Sequence, residues 1–337
     1  MQKAMKDILL RAIILSAVMA VILMGIHNAY AAEEQRKLVP MGNAVGIKLF
    51  SDGVIVVGFA ENLSAVPAKN SGLRVGDIIT HINHSEVDTI EEVRAIVQET
   101  GTAPLSIRVS RNDKQLEVDT VAIQAQDGQY LLGAWIRDSM AGIGTITYYD
   151  PSTGSYAALG HPINDIDTGV IMPVEDGGLM PANVIGVRKG EKGQPGELQG
   201  SFDTSTSLGS LHANNGAGIF GALEAETMVS KAALPVASRN QVQVGTATIY
   251  STVGGTEVRE YEIEILRVFP DGGADNRDLM LKVTDPALLT ATNGIVQGMS
   301  GSPIVQNGKF IGAVTHVLVS DPTQGYGILA TTMLDAV

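Results

Sequence analysis

The sequence predicts a mainly β protein in three parts: an N-terminal apolar helix, a small α+β module and a large antiparallel domain. Runs rich in Val, Ile and Thr are separated by turns of Gly, Asn, Asp and Pro, and 38 of the 337 residues are glycine. This pattern favours many short strands over long helices. With 45% hydrophobic residues the chain can bury a large core, and its length suggests about two domains plus extra segments.

The composition excludes several classes of function. The formal net charge is −13 and no basic stripe occurs, which argues against nucleic acid as a partner because such binding needs clustered Lys and Arg. The chain has no cysteine, so disulfides, thiolate metal sites and a cysteine nucleophile are excluded. We expect neither a cofactor nor a metal ion.

Residues 1–32 predict an export signal. Three basic residues precede an uncharged run, 12–32, and an Ala-Tyr-Ala cleavage site lies at 29–31. The run just reaches the roughly 20 residues that a membrane span needs, so a cleaved signal peptide and a retained anchor are both open. The positive charge ahead of the run predicts that everything after Ala32 lies outside the cytoplasm.

Residues 39–125 predict a compact α+β module. The stretch GLRVGDIITHIN, residues 72–83, contains two turns and a strand. A helix follows, because Thr89 and Glu92 form a capping box and apolar residues then recur on one helical face. The segments LSIRVS and QLEVDT alternate with period two around a polar turn, which indicates a hairpin.

This order of elements, and GLRVGDIITHIN above all, resembles a PDZ domain. In that family the N–H groups of a glycine-containing loop hold the carboxylate of a peptide C-terminus, and the peptide adds as a strand beside the helix. The resemblance implies that the loop lies at residues 44–47 and continues to residue 50. The peptide-binding positions would be Val45, Gly46, Ile47, Lys48 and Leu49. The loop departs from the usual Gly-Leu-Gly-Phe pattern, which leaves an internal or weak ligand open.

Residues 126–337 predict antiparallel strands. The segment TITYYDPSTGSYAALGH reads as two strands around an Asp-Pro-Ser-Thr-Gly turn, and TATIYSTVGGTEVREYEIEIL reads as a second hairpin around Gly254-Gly255. Short antiparallel strands over this length suit a double barrel or a sandwich.

Ser300 lies between glycines in GMSGSP, directly before a hairpin with an Asn-Gly turn. A serine hydroxyl is a poor nucleophile until a base removes its proton, and the attacked carbonyl oxygen needs N–H donors. The same order of motif and hairpin recurs in trypsin-like peptidases. By analogy, the N–H groups of Gly298 and Ser300 would form the oxyanion hole. Met299 departs from that family, whose members mostly carry an aspartate here, so activation by an ion pair with a new N-terminus is not expected.

His161, in ALGHPI, is the candidate base. It ends a predicted strand and precedes Ser300 along the chain, in the order used by double-barrel peptidases. A lone histidine at a strand end is more often structural, and the Ser300 motif is what favours the catalytic interpretation. His212 and His316 are the reserve candidates, and we expect His316 to pack near the serine.

The whole pattern resembles the stage IV sporulation protein B peptidases of endospore-forming bacteria. The resemblance rests on the export signal, the PDZ-like module and, in this order, ALGHPI, VTDPALL, GIVQGMSGSPIVQNGKFIGAVTH and DPTQGYG. The resemblance implies a trypsin-like double β-barrel that is secreted into the space between the forespore and mother-cell membranes. There it would cleave the regulatory subunit of an intramembrane metalloprotease and so trigger sigma-factor activation. Self-cleavage and self-association stay open.

The resemblance also implies that Asp285 orients the histidine. By the chain order of digestive trypsins, Asp165 or Asp167 would take that role instead. Any of the three could accept the imidazole N–H, and Asp285 before a proline is also a common turn residue.

Two other functions are consistent with parts of the sequence. One is a scaffold that captures peptide ends and carries an inactive barrel, but Ser300 and His161 are both present. The other is a quality-control protease of the cell envelope, although in such proteins the PDZ domain usually follows the protease domain.

Overall fold

The computed structural model describes residues 36–61, 65–224, 231–270 and 272–337. The predicted signal or anchor, residues 1–32, lies outside the described residues. Within the described ranges no helix is long and apolar enough to cross a membrane. The chain divides into two units at Lys37, and the description below concerns the second, Leu38–Val337.

The described elements are mostly strands. The strands of the first half are β1 Lys37–Pro40, β2 Ala44–Phe59, β3 Ile78–Ile82, β4 Ser85–Glu86, β5 Pro104–Arg111, β6 Lys114–Val121, β7 Ile123–Gln124, β8 Tyr130–Leu131, β9 Ala134–Asp150, β10 Ser155–Ala158 and β11 Asp176–Arg188. The remaining strands are β12 Gly196–Phe202, β13 Gly209–Asn215, β14 Gly218–Leu223, β15 Leu234–Pro235, β16 Gly245–Ser251, β17 Arg259–Val268, β18 Leu279–Val283, β19 Val296–Gln297, β20 Pro303–Gln306, β21 Lys309–Val317 and β22 Gln324–Leu329. The α-helices are Pro67–Asn70, Ile90–Thr100, Pro286–Thr292 and Ala330–Leu334, and short 3-10 turns lie at Arg239–Gln241 and Ala274–Asn276.

Six strands between Ala44 and Leu223 pair in a closed ring. The order is β9, β10, β14, β13, β11 and β2, and β2 pairs back with β9. Successive side chains of a strand point to opposite faces, so Val45, Ile47 and Leu49 fill the ring with apolar residues from the other strands. The result is a first barrel with its own core.

A second closed barrel follows, with strand order β16, β17, β18, β22, β21 and β20. Its first hairpin is the one that the sequence predicts, since Ile249 lies opposite Tyr261 and Ala247 opposite Ile263. Tyr261, Ile263 and Ile265 are buried in the barrel core. The prediction of a mainly β protein with barrels is confirmed.

The α+β module also forms as the pattern predicts. Its helix Ile90–Thr100 begins with the capping box: Thr89 Oγ1 accepts a hydrogen bond from the Glu92 N–H at 3.2 Å, and Glu92 Oε2 accepts one from the Thr89 N–H at 3.0 Å. Val93 and Val97 are buried against β2, β3 and β5 in a third core.

The module and the first barrel share two strands. The residues of β2 up to Phe50 lie in the barrel, between β9 and β11, whereas Val54–Phe59 pair with β3 and the start of β9 in the module. The register shifts between Phe50 and Ile55, at Gly53, whose φ of 82° favours glycine. The predicted module, residues 39–125, therefore begins with strands of the barrel, because a period-two pattern does not reveal which strand lies alongside.

Candidate active site

A cavity of about 490 Å³ brings Ser300 and His161 together. His161 comes from the first barrel and Ser300 from the second, and Gly298, Thr315 and His316 line the same cavity. Met140–Ile143 of β9 form part of its wall. The nucleophile and the base that the sequence selects therefore face one space.

The turn that carries Ser300 is held by Thr145 of β9. Thr145 donates from its N–H to the Ser300 carbonyl at 3.2 Å and from Oγ1 to the Gly298 carbonyl at 2.7 Å. Gly298 and Gly301 have φ values of 95° and 96°, a region that strongly favours glycine. A Cβ atom on Gly301 would lie 2.6 Å from the backbone N of Leu159. The turn thus depends on both glycines and on the neighbouring barrel.

Two N–H groups of this turn are free. Among the described residues no protein acceptor receives a hydrogen bond from the N–H of Gly298 or of Ser300, whereas the N–H of Met299 donates to Val296 at 3.1 Å. These two donors are the ones that the sequence motif assigns to an oxyanion hole. The carbonyl groups of the same two residues are held by Thr145.

Met299 anchors the turn by burial. Its side chain is fully buried in the core of the second barrel. The aspartate common at this position in trypsin-like peptidases could not be placed in this apolar site without an ionic partner. The turn is therefore stabilised by apolar packing.

His161 follows β10 after two residues with positive φ, Leu159 at 68° and Gly160 at 71°. Its Nδ1 lies 2.8 Å from the carbonyl oxygen of Pro162. A carbonyl oxygen can only accept, so Nδ1 carries the proton and Nε2 keeps its lone pair. Burial lowers the pKa of His161 below its ordinary value of 6.5, and the hydrogen bond to Pro162 opposes this only in part. His161, the candidate base, is therefore neutral, and a backbone carbonyl accepts from its Nδ1–H.

In this structure the hydroxyl of Ser300 is hydrogen-bonded to a backbone carbonyl and not to His161. Ser300 Oγ donates to the Thr315 carbonyl at 2.6 Å, and no hydrogen bond links it to His161 among the described residues. Catalytic hydrogen bonds are often absent in a free enzyme and form with substrate. Rotation about the Cα–Cβ bond of Ser300 is the movement that would bring the hydroxyl toward the base.

Asp285, the predicted orienting acid, does not line the cavity, and among the described residues no hydrogen bond links it to His161. Its Oδ1 accepts hydrogen bonds from the N–H groups of Ala287 at 2.8 Å and Leu288 at 2.9 Å, so Asp285 is the N-cap of helix Pro286–Thr292. A carboxylate occupied by a helix terminus, ahead of a proline at the first helical position, has a structural role.

Asp165 and Asp167 do not orient His161 either. Asp165 is fully buried, pairs with Arg137, and accepts hydrogen bonds from the Asp167 N–H and from Thr168. Burial alone would raise the pKa of Asp165, but the bonds from Thr168 and the guanidinium of Arg137 outweigh it and hold the pKa below its ordinary range. Asp167 lies 2.7 Å from the same guanidinium.

The two reserve histidines differ. His212 Nε2 lies 2.8 Å from Ser210 Oγ on an exposed part of β13, away from the cavity lining. His316 stands beside the catalytic pair, with its ring centroid 5.0 Å from that of His161. Burial, then the charges of His161 and Arg277, lower the pKa of His316 to about 4, so it is neutral at physiological pH.

The residues predicted to bind a peptide, Val45, Gly46, Ile47, Lys48 and Leu49, do not line the groove beside the module's helix. These residues lie within β2 in the first barrel, paired with β9 on one edge and β11 on the other. A strand with both edges occupied cannot accept a peptide strand. A Cβ atom on Gly46 would come within 2.8 Å of the Phe202 ring, which explains the glycine by close packing.

The groove beside the module's helix lies elsewhere. A cavity of about 570 Å³ is bounded by Val93 and Val97 of the helix and by residues 130–136. Gly133, with φ of 74°, follows Tyr-Leu-Leu and precedes Trp135 of β9. The run YLLGAW is a glycine-containing loop ahead of a strand, the pattern that the sequence analysis sought for a PDZ peptide-binding loop. It was missed because this run comes after the helix along the chain, and the search was made before the helix.

A family model for SpoIVB peptidase S55 matches residues 128–334. The chain belongs to this family. It is therefore a serine endopeptidase, and a PDZ domain model matches residues 65–111 of the same chain. No curated protein matches the chain.

Several solved structures are similar to parts of this S55 peptidase. The PDZ domain of the SdrC-like protein from Listeria monocytogenes shares 23% identity, with a TM-score of 0.23, and the match covers 25% of this chain and 87% of that one. The Rv3671c protease from M. tuberculosis, in its active form, shares 14% identity over 58% of this chain and 72% of that one, with a TM-score of 0.34. The thermostable serine protease AL20 from an extremophilic microorganism shares 15% identity over 58% and 90%, with a TM-score of 0.34.

We expect Ser300→Ala to abolish peptidase activity and Ser302→Ala to leave most of it. Ser302 is fully buried and its hydroxyl donates to Ser251 Oγ at 3.0 Å, inside the second barrel, so it serves as a matched control. Diisopropyl fluorophosphate should modify Ser300 in the wild type and in Ser302→Ala, and His161→Ala should prevent the reaction. Equal loss in the two serine variants would contradict the assignment.

The acid limb of the pH profile should lie below pH 6.5, because the pKa of His161 is lowered. His161 acts as a base only when neutral, so the rate of Ser300 phosphonylation should hold at neutral pH and fall as the pH drops through this lowered pKa. A midpoint above 6.5 would instead indicate a carboxylate partner for His161.

Asp285→Asn should leave turnover nearly unchanged, because asparagine is also a good N-cap. Asp285→Ala should lower the free energy of unfolding by about 1 kcal/mol, as loss of an N-cap does. Chemical denaturation and turnover measured on both variants check this. A loss of about 10⁴ in kcat for the asparagine variant, as in triad peptidases, would restore Asp285 as the orienting acid.

Proposed function

We propose that this serine endopeptidase is exported across the cytoplasmic membrane and cleaves a regulatory membrane protein during endospore formation, which triggers sigma-factor activation. The substrate would be the regulatory subunit that holds an intramembrane metalloprotease inactive. The observation that carries the catalytic part is the single cavity shared by Ser300, His161 and two free N–H donors. The biological part is supported by the likeness of ALGHPI, GMSGSP and DPTQGYG, in that order, to the stage IV sporulation protein B peptidases.

The proposed reaction begins when Ser300 Oγ leaves the Thr315 carbonyl and donates its proton to Nε2 of His161 while it attacks the substrate carbonyl. The N–H groups of Gly298 and Ser300 receive the developing oxyanion; in other peptidases one such donor contributes about 10²–10³ in kcat. His161 then passes the proton to the leaving amine, and water hydrolyses the acyl-enzyme with the same base.

The orienting group in this mechanism is the Pro162 carbonyl. It fixes the tautomer of His161 as a carboxylate would, since it accepts from Nδ1 at 2.8 Å. A neutral dipole stabilises the imidazolium less than a full negative charge does, so proton transfer is less favourable. We infer a slow peptidase whose selectivity comes from positioning its substrate, which suits a regulatory cut.

The PDZ module supplies that positioning in our proposal. A peptide end would lie in the groove between the helix Ile90–Thr100 and residues 130–136, with the loop before Gly133 facing the carboxylate. Tethering one part of a substrate raises its local concentration at the active site without a tight catalytic subsite. An export signal or anchor at residues 1–32 would put the enzyme on the side of the membrane where such a substrate would be exposed.

The decisive experiment is cleavage of the metalloprotease's regulatory subunit in lipid vesicles, with casein as an unrelated unfolded protein. We expect the wild type to cut the membrane protein at discrete sites and Ser300→Ala to leave it intact. Broad degradation of casein at a similar rate would identify a quality-control protease instead. Ser300→Ala chains mixed with active chains would show in the same assay whether the molecule cuts itself.

Trp135→Ala should slow cleavage of the membrane substrate and leave hydrolysis of p-nitrophenyl acetate unchanged, because Trp135 lines the groove and not the catalytic cavity. The side chain is 62% exposed, so its truncation should not unfold the module. Val244→Ala, at a position that is 64% exposed and outside both cavities, is the matched control. Parallel loss of both activities would show that the groove only supports the barrel.

A further inference from the structure

One strand connects the PDZ groove with the catalytic cavity. Ala134–Ile136 at the start of β9 line the groove, and Met140–Ile143 of the same strand line the cavity. Between these segments lies Arg137, whose side chain is 29% exposed. Arg137 is thus placed at the junction of the two sites.

The guanidinium of Arg137 binds two carboxylates of the loop that follows His161. Its Nη1 donates to Asp165, four residues after His161, and its Nη2 lies 2.7 Å from Asp167. The Asp165 carboxylate is fully buried, so the pair lies largely out of solvent on that side. A buried carboxylate that loses its cation is strongly destabilised, which makes this contact a real constraint on the loop.

Asp165 in turn organises the backbone of the loop. Its carboxylate accepts from the N–H groups of Asp167 at 3.1 Å and Thr168 at 2.9 Å, and its own N–H donates to the Val170 carbonyl at 2.8 Å. The loop begins at Pro162, whose carbonyl oxygen accepts a hydrogen bond from Nδ1 of His161. Only Ile163 and Asn164 separate Asp165 from Pro162, so the Asp165 turn and the group that orients the imidazole belong to one short segment.

We infer that Arg137 is a positioning residue for His161, acting through Asp165 and the Pro162 carbonyl. This inference rests on the proposed role of His161 as the base. The contact fixes the imidazole relative to β9, the strand whose Thr145 also holds the Ser300 turn. Both the loop of His161 and the turn of Ser300 are therefore held by hydrogen bonds to the same strand, β9.

A second anchor keeps the loop folded when Arg137 is changed. The Asn214 side chain accepts from the Ile163 N–H at 2.8 Å and donates to the carbonyls of Ile163 and Met172 at 2.8 and 2.9 Å. Both ends of the loop remain tied to β13 by these bonds. Variants at Arg137 should therefore fold, with a misplaced catalytic histidine as the main defect.

The test compares Arg137→Gln, Arg137→Lys and the control Arg188→Gln, whose ion pair with Glu197 at 3.1 Å is half-exposed on both sides. The readouts are the rate of Ser300 phosphonylation by diisopropyl fluorophosphate, kcat and KM for p-nitrophenyl acetate, and the midpoint of thermal unfolding. We expect Arg137→Gln to lower the phosphonylation rate and kcat together by about ten- to a hundredfold, since small misplacements of a catalytic group have effects of this size. KM should change little, Arg137→Lys should recover part of the rate, and Arg188→Gln should match the wild type.

A purely structural role is distinguished by the pattern of loss. If Arg137→Gln lowers the thermal midpoint but reacts at the wild-type rate, the inference is wrong. Combining Arg137→Gln with His161→Ala should lower the residual esterase rate no further than His161→Ala alone, because both changes act on one group. Additive losses would overturn the link to His161, whereas undiminished labelling of His161→Ala would overturn the proposed base itself.

Discussion

The pairing of β2 with β9 is the constraint on which the rest of the molecule depends. It runs from Ala44 opposite Thr145 to Phe59 opposite Ala134, with register shifts near Gly53 and Gly58. One end of this ladder closes the first barrel and the other forms the floor of the PDZ module. Because backbone hydrogen bonds fix both strands along their length, the groove, Arg137 and Thr145 hold fixed places relative to one another.

The groups that meet at Ser300 in the candidate active site are neutral. His161 is oriented by a carbonyl, its neighbour His316 is neutral, and the Ser300 turn is anchored by the buried Met299. The carboxylates considered as orienting groups are engaged elsewhere: Asp165 with Arg137 and Asp285 with a helix terminus. Among the described residues a carbonyl and not a carboxylate accepts from Nδ1 of His161, so in the proposed mechanism the two free N–H groups of the turn are the main electrostatic support for a transition state.

Two assignments made from the sequence differ from the arrangement in the structure, and for the same reason. Asp285 and the loop at Val45–Leu49 were assigned through resemblance, and each residue type suited its assigned role. Asp-Pro, however, is as suitable for a helix start as for orienting a histidine, and the structure shows the first use. A glycine-containing strand suits a PDZ loop as well as a barrel strand, and Gly46 serves the barrel, where it packs against Phe202.

Local chemistry was determined by the sequence itself. The capping box at Thr89, the hairpin that opposes Ile249 to Tyr261, and the glycine-framed turn of Ser300 follow from short-range patterns, because helix caps, strand alternation and positive φ depend on neighbours along the chain. Only the tertiary structure decided that β2 and β9 each belong to two domains and that Pro162 orients His161. It also decided that the groove is lined by residues 130–136, which come after the helix along the chain. Strand partners and the acceptor of a histidine N–H are set by packing between residues far apart in the chain, and a period-two pattern is the same whichever strand lies beside it.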